Sequence, residues 1–540
     1  MTSRLAHSRF RMNQHGHSVV LVGFQDQGNL GLGYLAAVLE RRGYRVRVMD
    51  IGRPPEHLLR CIRSEDPVLV GFSIIFQYYL PKIGELASFL ASRGVKCHLT
   101  AGGHFPSLRY AQTLQEIPEL DSIVLFEGEY TLSALVDSLA SGRDWRRIPG
   151  LAYRQDGQVA RGVLRPLVAD LDRLPFPQRP DMQRAILGCR YQPILATRGC
   201  PRDCAFCSIR EFYGRARGRR VRRRSPANVV QEMADLYDEH GVKIFLFQDD
   251  DFPLIGKAGR AWTRRFLDEL DSHGLAGNVI WKISCRADEV DADLFSTLQE
   301  YGLYLVYLGI ESGTEDGLRR LNKGTTVADN IRAVGVLKNL GLRFGYGFMM
   351  FEPGSTFGSV SANVGFLRAI VGDGSAAVSF CKMLPYAGTR VERELEAAGR
   401  LRGTVASPDY RFIDPAMDEY CEKLDRALRS WMHGKDGVAN CLNLALHEVA
   451  VIRQLFPALA KTDEYEEFLV AKTKQANERV LSAVEDSASA LRAGRAFPVS
   501  ATEMEAEATA LLRNLLHRRD EFVYRNQASM LDFLRIKPAA

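Results

Sequence analysis

No part of the 540-residue chain is apolar for anything near the roughly 20 residues a membrane helix needs; its longest apolar runs, such as LYLVYLGI with its one glycine, are strand-sized. The opening MTSRLAHSRFRMNQHGHSVV lacks the apolar centre of a secretion signal, so the expectation is a soluble, cytoplasmic protein that does not engage membranes. Net positive charge is lacking outside one place. The segment REFYGRARGRRVRRR, residues 210–224, holds eight Arg and one Glu, a net of +7, so the rest of the chain carries −1 against a total of +6. No nucleic-acid partner is expected on that balance; the run itself reads as a solvated loop, with contact to a polyanion as its other use. Ten cysteines in so long a chain do not form a disulfide framework, which belongs to small secreted domains.

With 46% apolar residues the chain can bury several cores, and two to four domains are expected. From Ser18, short apolar runs (SVVLVGF, YRVRVMDI, PVLVGFSII, KCHLTAGG, SIVLFEG) alternate with amphipathic stretches such as NLGLGYLAAVLERRG. Five strands alternating with helices predict a doubly wound parallel sheet, Rossmann-like, with a ligand crevice at the carboxyl ends of its strands. That places the loops at 25–31, 73–77, 102–106 and 127–131 in the crevice. The first, FQDQGNLGLGYL, is not a G-x-G-x-x-G dinucleotide loop. AGGHFPS and FEGEYT are either ordinary tight turns or places where a large planar ligand meets backbone, since glycine carries no Cβ.

ATRGCPRDCAFCSIREFYG, residues 196–214, sets Cys200, Cys204 and Cys207 in a C-x3-C-x2-C run. A structural zinc site takes four ligands, and no fourth Cys or His follows at finger spacing; Cys189 and Cys285 are the nearest thiols outside the run. Three thiolates can hold a four-iron cube by three corners and leave one iron open for chemistry. Zinc stays the alternative.

These three cysteines, with Phe206 just before the third, resemble the cluster loop of radical S-adenosylmethionine (SAM) enzymes. Beyond them the strand–helix alternation resumes, giving six units between 192 and about 398, similar to the open (β/α)6 partial barrel of that family. The resemblance implies a [4Fe-4S] cluster on Cys200, Cys204 and Cys207. It also implies SAM contacts from Phe206, from Asp249 and Asp250 in FQDDDF, from Ser284 and Arg286 in ISCRAD, and from Glu311 in GIESG. Carboxylates suit an ammonium and sugar hydroxyls, and an Arg fork suits a carboxylate.

A doubly wound domain ahead of such a loop resembles the cobalamin-binding, class B methyltransferase-like members of the family, over roughly residues 18–390. The implied corrin contacts are Asp26, Gly28, Gly31, Ser73, Gly102, Gly103, His104, Gly128 and Glu129. Where many cobalamin domains carry D-x-H-x-x-G, this chain reads DQGNLG, with Gly28 in place of the histidine. The implied cofactor is therefore methylcobalamin without a histidine below the cobalt. The implied reaction is methylation of an unactivated carbon, or secondarily phosphorus, of a specialised metabolite or peptide precursor. It would proceed through a 5′-deoxyadenosyl radical, with electrons from a donor such as flavodoxin or ferredoxin. A non-methylating cyclisation or rearrangement on the same fold is the runner-up; a non-catalytic cobalamin or redox sensor is the reading of another class. A methylthiotransferase acting on transfer RNA is disfavoured, because no small RNA-binding β-barrel follows.

The domains read as a polar tail (1–17), the cobalamin-binding domain (18–145), a hairpin and Pro-rich linker (146–190), the partial barrel (191–398) and a helical C-terminal domain (399–540). In the connection, LAYRQDGQVA is a hairpin about Asp156-Gly157. The tail's Leu and Val stripes are packing surfaces, and the tail is expected to close over the barrel mouth. His447 and His517 lie in such helices and are expected to be satisfied or exposed. Cys381 is expected as a buried core thiol, with a place facing the cavity as the alternative.

Overall fold

The structure, a computed structural model, describes residues 16–25 and 28–535. Asp26 lies outside the described residues. The front sheet has seven strands: β1 (Ser18–Gly23), β2 (Arg45–Asp50), β3 (Pro67–Ser73), β4 (His98–Gly102), β5 (Ser122–Val124), β6 (Leu151–Gln155) and β7 (Gln158–Arg161), in the order 2-1-3-4-5-6-7. The first five are parallel, with helices between them. SVVLVG in β1 is buried along its whole length, as a strand covered on both faces requires. The Asp156-Gly157 hairpin forms as its sequence predicts, both residues having positive φ (52° and 76°). It is not a free connection, however: β6 pairs antiparallel with β5 and carries the sheet onward.

The second sheet runs β8 (Ala185–Ile186) and β9 (Cys189–Ile194), then, past the short antiparallel pair β10 (Thr197–Arg198) and β11 (Arg222–Arg223), β12 (Val242–Phe247), β13 (Ile280–Arg286), β14 (Leu303–Glu311), β15 (Arg343–Phe351) and β16 (Cys381–Lys382). Its order is 16-15-14-13-12-9-8, six parallel strands with β8 as an antiparallel edge, which is the open partial barrel. Strand alternation decides its faces. Trp281 on β13 packs edge-on to Phe266 of the helix Gly256–Ser272, so Lys282 and Ser284 face inward.

The tail begins with a short antiparallel pair, Leu401–Gly403 with Pro408–Tyr410, and continues as helices including 415–427, 438–455, 462–492 and 501–535. Its first segment stays at the mouth: the Tyr410 hydroxyl donates to Phe351 O at the end of β15, and Gln77 of the front domain donates to Val405 O. The helices 438–455 and 462–492 are anchored at the opposite end of the barrel: His447 Nε2 is 2.6 Å from the Tyr304 hydroxyl near the start of β14, and Arg343 at the start of β15 pairs with Glu466. Asn477 donates to the carbonyls of Val371 and Ala376 and accepts from Val378, ahead of β16. Tail residues such as Leu442, Val449 and Val484 belong to the same buried core as the barrel. The helices therefore form a floor.

Candidate active site

A cavity of about 300 Å³ lies between the carboxyl ends of the two sheets. Its walls bring together Gly28, Gly31, Ser73, Gly102, Gly103, His104, Gly128 and Glu129 from the front domain with Thr197, Arg198, Gln248 and Asp250 from the barrel. All the described residues assigned by resemblance to the corrin thus share one space, and Asp250 of the SAM set joins them.

Gly28 has φ +76°, and a Cβ there would stand 2.7 Å from the Pro193 ring, so the loop passes close to the barrel with no side chain and no cobalt donor. Asn29 caps the following helix by accepting from Leu32 and donates to Ser73 (3.3 Å), tying two cavity loops together. His104 lies against Phe212 with ring centroids 4.2 Å apart, and burial pulls its pKa down to about 4, so it stands in the cavity as neutral imidazole. Glu129 pairs through one oxygen with Arg198 at 2.6 Å; its other oxygen is buried with no partner among the described residues, free to accept from a ligand amide. The glycine-lined wall and this orphan acceptor fit an amide-fringed macrocycle.

The cluster loop is pinned from several sides. Gly199, at φ +86°, admits the Arg220 carbonyl, which would be 2.1 Å from any Cβ. The backbone at Ala205 donates to Leu321 O (2.8 Å) and accepts from Val391 N (3.2 Å). Cys200, Cys204 and Cys207 are free, part-buried thiols, and Phe206 packs part-buried against the barrel core. Burial raises Cys200 and Cys207 to about 12. Among the described residues no three His, Cys, Asp or Glu side chains converge on a point one ion could occupy. Three separated thiols on one loop are a donor set that fits an iron–sulfur cube held by three corners.

The remaining SAM residues divide. Asp249 is engaged internally, accepting from the Ala196 amide (3.1 Å) and from the Thr197 amide and hydroxyl (2.5 and 2.6 Å); it holds the strand that leads to the cysteines. Asp250 accepts from the Gly199 amide (3.1 Å) and faces the cavity. Burial raises their carboxyls to about 7 and 6. Arg286 donates to Asp288, Lys323 O and Gly324 O, so its fork also serves the fold. Ser284 accepts from Lys282 Nζ (2.7 Å). Glu311, strained at φ +66°, ends β14 and pairs with Lys323 at 3.1 Å.

Three features escaped sequence reasoning, and for a fourth, Cys381, the first expectation fails. Glu127 accepts from both Arg198 (3.1 Å) and Arg222 (2.8 Å), joining the front domain to both strands of the β10–β11 pair. Its only signal is a second carboxylate in FEGE. The Arg run is a solvated loop only in its middle, where Arg217 and Arg219 are exposed: its ends form the helix Ser208–Arg215 and strand β11, with Arg222 and Arg224 buried. Arg224 pairs with Glu232 at 2.5 Å, because facing carboxylates repay the burial. On the inner barrel wall Tyr307 is 44% exposed, with Lys282 5.7 Å from its ring centroid. Cys381 is not a core thiol; it is exposed, close enough to Tyr307 and Glu311 to interact electrostatically with both, because β16 is only two residues long at the open edge of the sheet.

Residues 16–136 match the B12 binding domain family and residues 194–365 the radical SAM superfamily. The chain is 30% identical over 399 residues to an uncharacterised methyltransferase of Pyrococcus horikoshii, spanning 72% of this chain and 82% of that protein. Its fold is similar to that of the cobalamin-dependent SAM radical enzyme OxsB with aqua-cobalamin bound, at TM-score 0.67 and 16% identity over 96% of this chain and 83% of that one. It is also similar to the radical SAM methyltransferase TsrM from Kitasatospora setae with cobalamin and a [4Fe-4S] cluster bound, at TM-score 0.58 and 19% identity over 72% and 76% of the two chains. Among the described residues no helix is long and apolar enough to cross a membrane.

Proposed function

The chain belongs to the cobalamin-dependent radical SAM methyltransferase family, and from that membership we propose that it methylates an unactivated carbon of a small-molecule or peptide substrate held on the inner wall of the barrel. One observation carries the reading: the glycine-lined front loops and the barrel's Asp250 open into a single cavity, so both cofactors would face the same reacting carbon. When bound, the cluster, SAM and corrin supply the electron transfer, the hydrogen-abstracting radical and the methyl group.

The chain's own residues bind, orient and exclude. Cys200, Cys204 and Cys207 hold the cluster; Asp249 and Gly199 set the path of their loop. Asp250, Ser284 and Glu311 would hold SAM's ammonium and ribose. Lys282 donates its hydrogen bond to Ser284 and forms no ion pair among the described residues; the Asp249 carboxylate, itself engaged by Thr197, acts on it electrostatically. A half-buried ammonium whose nearby carboxylate is bonded elsewhere suits an anionic group on the substrate. The floor of tail helices closes the lower end of the barrel and keeps that space from opening straight through.

The test is anaerobic reconstitution with iron, sulfide and hydroxocobalamin, followed by turnover with candidate substrates. About four irons and one corrin per chain are expected. So is one S-adenosylhomocysteine together with one 5′-deoxyadenosine for each product one methyl heavier. A product of changed hydrogen count with no added methyl would replace this reading by the cyclase one, and iron without corrin would remove methyl transfer.

A further inference from the structure

The Arg run divides three ways in the fold. Arg222 and Arg224 are buried against Glu127 and Glu232. Arg210, Arg215 and Arg220 pair with Asp203 and Glu211. Arg217, Arg219 and Arg223 are exposed, and none of the three side chains has a hydrogen-bond or ion-pair partner among the described residues. These three cations stand within seven residues of one another, on the segment that braces the cysteine loop: Arg223 is in register with Thr197, the Arg220 carbonyl packs on Gly199, and the Arg220 guanidinium donates to Pro201 O (2.7 Å). Surfaces without a partner interleave signs of charge; a single-sign patch steers an oppositely charged macromolecule and sets its orientation.

We propose that Arg217, Arg219 and Arg223 form the docking surface for an acidic one-electron carrier protein that reduces the centre held by the cysteine loop. The inference rests on the functional reading above. In the step, one electron leaves the reduced carrier and enters that centre, the carrier is oxidised by one electron, and no bond or proton is exchanged at the surface.

The experiment compares the reconstituted full chain with the Arg217→Glu/Arg219→Glu/Arg223→Glu variant and with its all-Lys counterpart, using an acidic flavodoxin as the probe. Binding of oxidised flavodoxin, measured by calorimetry, is expected to weaken at least tenfold in the Glu variant and to persist in the Lys variant. Formation of 5′-deoxyadenosine is expected to fall at least tenfold with reduced flavodoxin but to stay within twofold with dithionite. Equal flavodoxin binding by the wild type and the Glu variant overturns the proposal, as does an equal loss in both reductant arms with iron retained. If the triple variant loses iron, the three single Glu variants carry the same comparison. Wild type that fails with dithionite as well speaks against the functional reading, whereas its flavodoxin binding still decides the surface. Retention of RNA by these arginines with flavodoxin binding unchanged would assign the patch to a polyanion instead.

Discussion

Arg198, two residues ahead of Cys200, places its guanidinium 2.6 Å from the Glu129 carboxylate and 3.1 Å from Glu127. All three side chains are nearly out of solvent, and Arg198 is 8% exposed. The strand that delivers the first cysteine is thereby bonded to the front-domain loop that lines the cavity. Arg198→Met would leave Glu127 with Arg222 alone and Glu129 with no ion-pair partner among the described residues, and breaking a buried pair from one side costs about 3–5 kcal/mol. A lower thermal midpoint and a lower corrin content are expected together. Unchanged values of both would show that the network is not what joins the two halves.

Gly199→Ala is expected to empty the cluster loop. The left-handed φ costs a non-glycine residue roughly 1–2 kcal/mol, and the new Cβ would meet the Arg220 carbonyl at 2.1 Å, backbone that cannot swing away as a side chain would. Iron content after reconstitution should fall well below that of the parent while corrin binding is kept. Full iron loading in the alanine variant would mean that β11 yields.

Where local chemistry determines structure, the chain was legible. SVVLVG is apolar throughout because both its faces are covered, Asp156-Gly157 satisfies the positive φ of a tight hairpin, and the cysteine spacing marks its loop. The illegible parts are contacts between distant segments. Arg222 meets Glu127 across 95 residues, and neither leaves a periodic trace, so the run looked solvated. Asp249 and Arg286 were recognisable by position, but their bonding partners, the Thr197 backbone and the carbonyls at 323–324, appear only in three dimensions. The tail's stripes announced packing but not which end of the barrel they cover.

The cofactor-free chain should lose stability on acidification through two histidines. Burial lowers the pKa of His104 and of His447 to about 4 from the usual 6.5, so the folded state resists a proton that the unfolded chain accepts. Their contribution is complete above pH 6.5 and drains away as pH falls toward 4, a loss of up to about 2 kcal/mol each by pH 5. His104→Gln should flatten the dependence of the thermal midpoint between pH 7 and 5. An identical slope in the variant would mean that His104 is already solvated.

Lys282→Met separates binding from folding. Burial lowers this ammonium to about 8, so it is held at a cost that is fully present below pH 8 and vanishes above the unfolded value near 10.5. The Met variant should match or exceed the parent's thermal midpoint at pH 7, with the difference closing as pH rises through that window. Its KM for a substrate bearing an anionic group should rise tenfold or more, and Lys282→Arg should restore part of the loss. An unaltered KM would show that the substrate's charge lies elsewhere.

A tail that were only a lid could be cut away at residue 410 and leave its cofactors in place. The anchors argue otherwise. Tyr304 bonds His447, Ala377 donates to Asn443, and Val378 to Asn477, all at the closed end of the barrel. The Tyr420 hydroxyl reaches Val484 O at 2.7 Å inside a core continuous with β14 and β15. Deletion would expose Val378, Leu367 and their apolar neighbours together, a patch far larger than a monomer tolerates. The truncated chain should therefore aggregate and fail to retain iron or corrin. Leu442→Asp alone should reproduce much of that loss, since it puts an unpaired charge where a leucine is fully buried. A soluble truncation that still binds both cofactors would mean the barrel is stable without its floor.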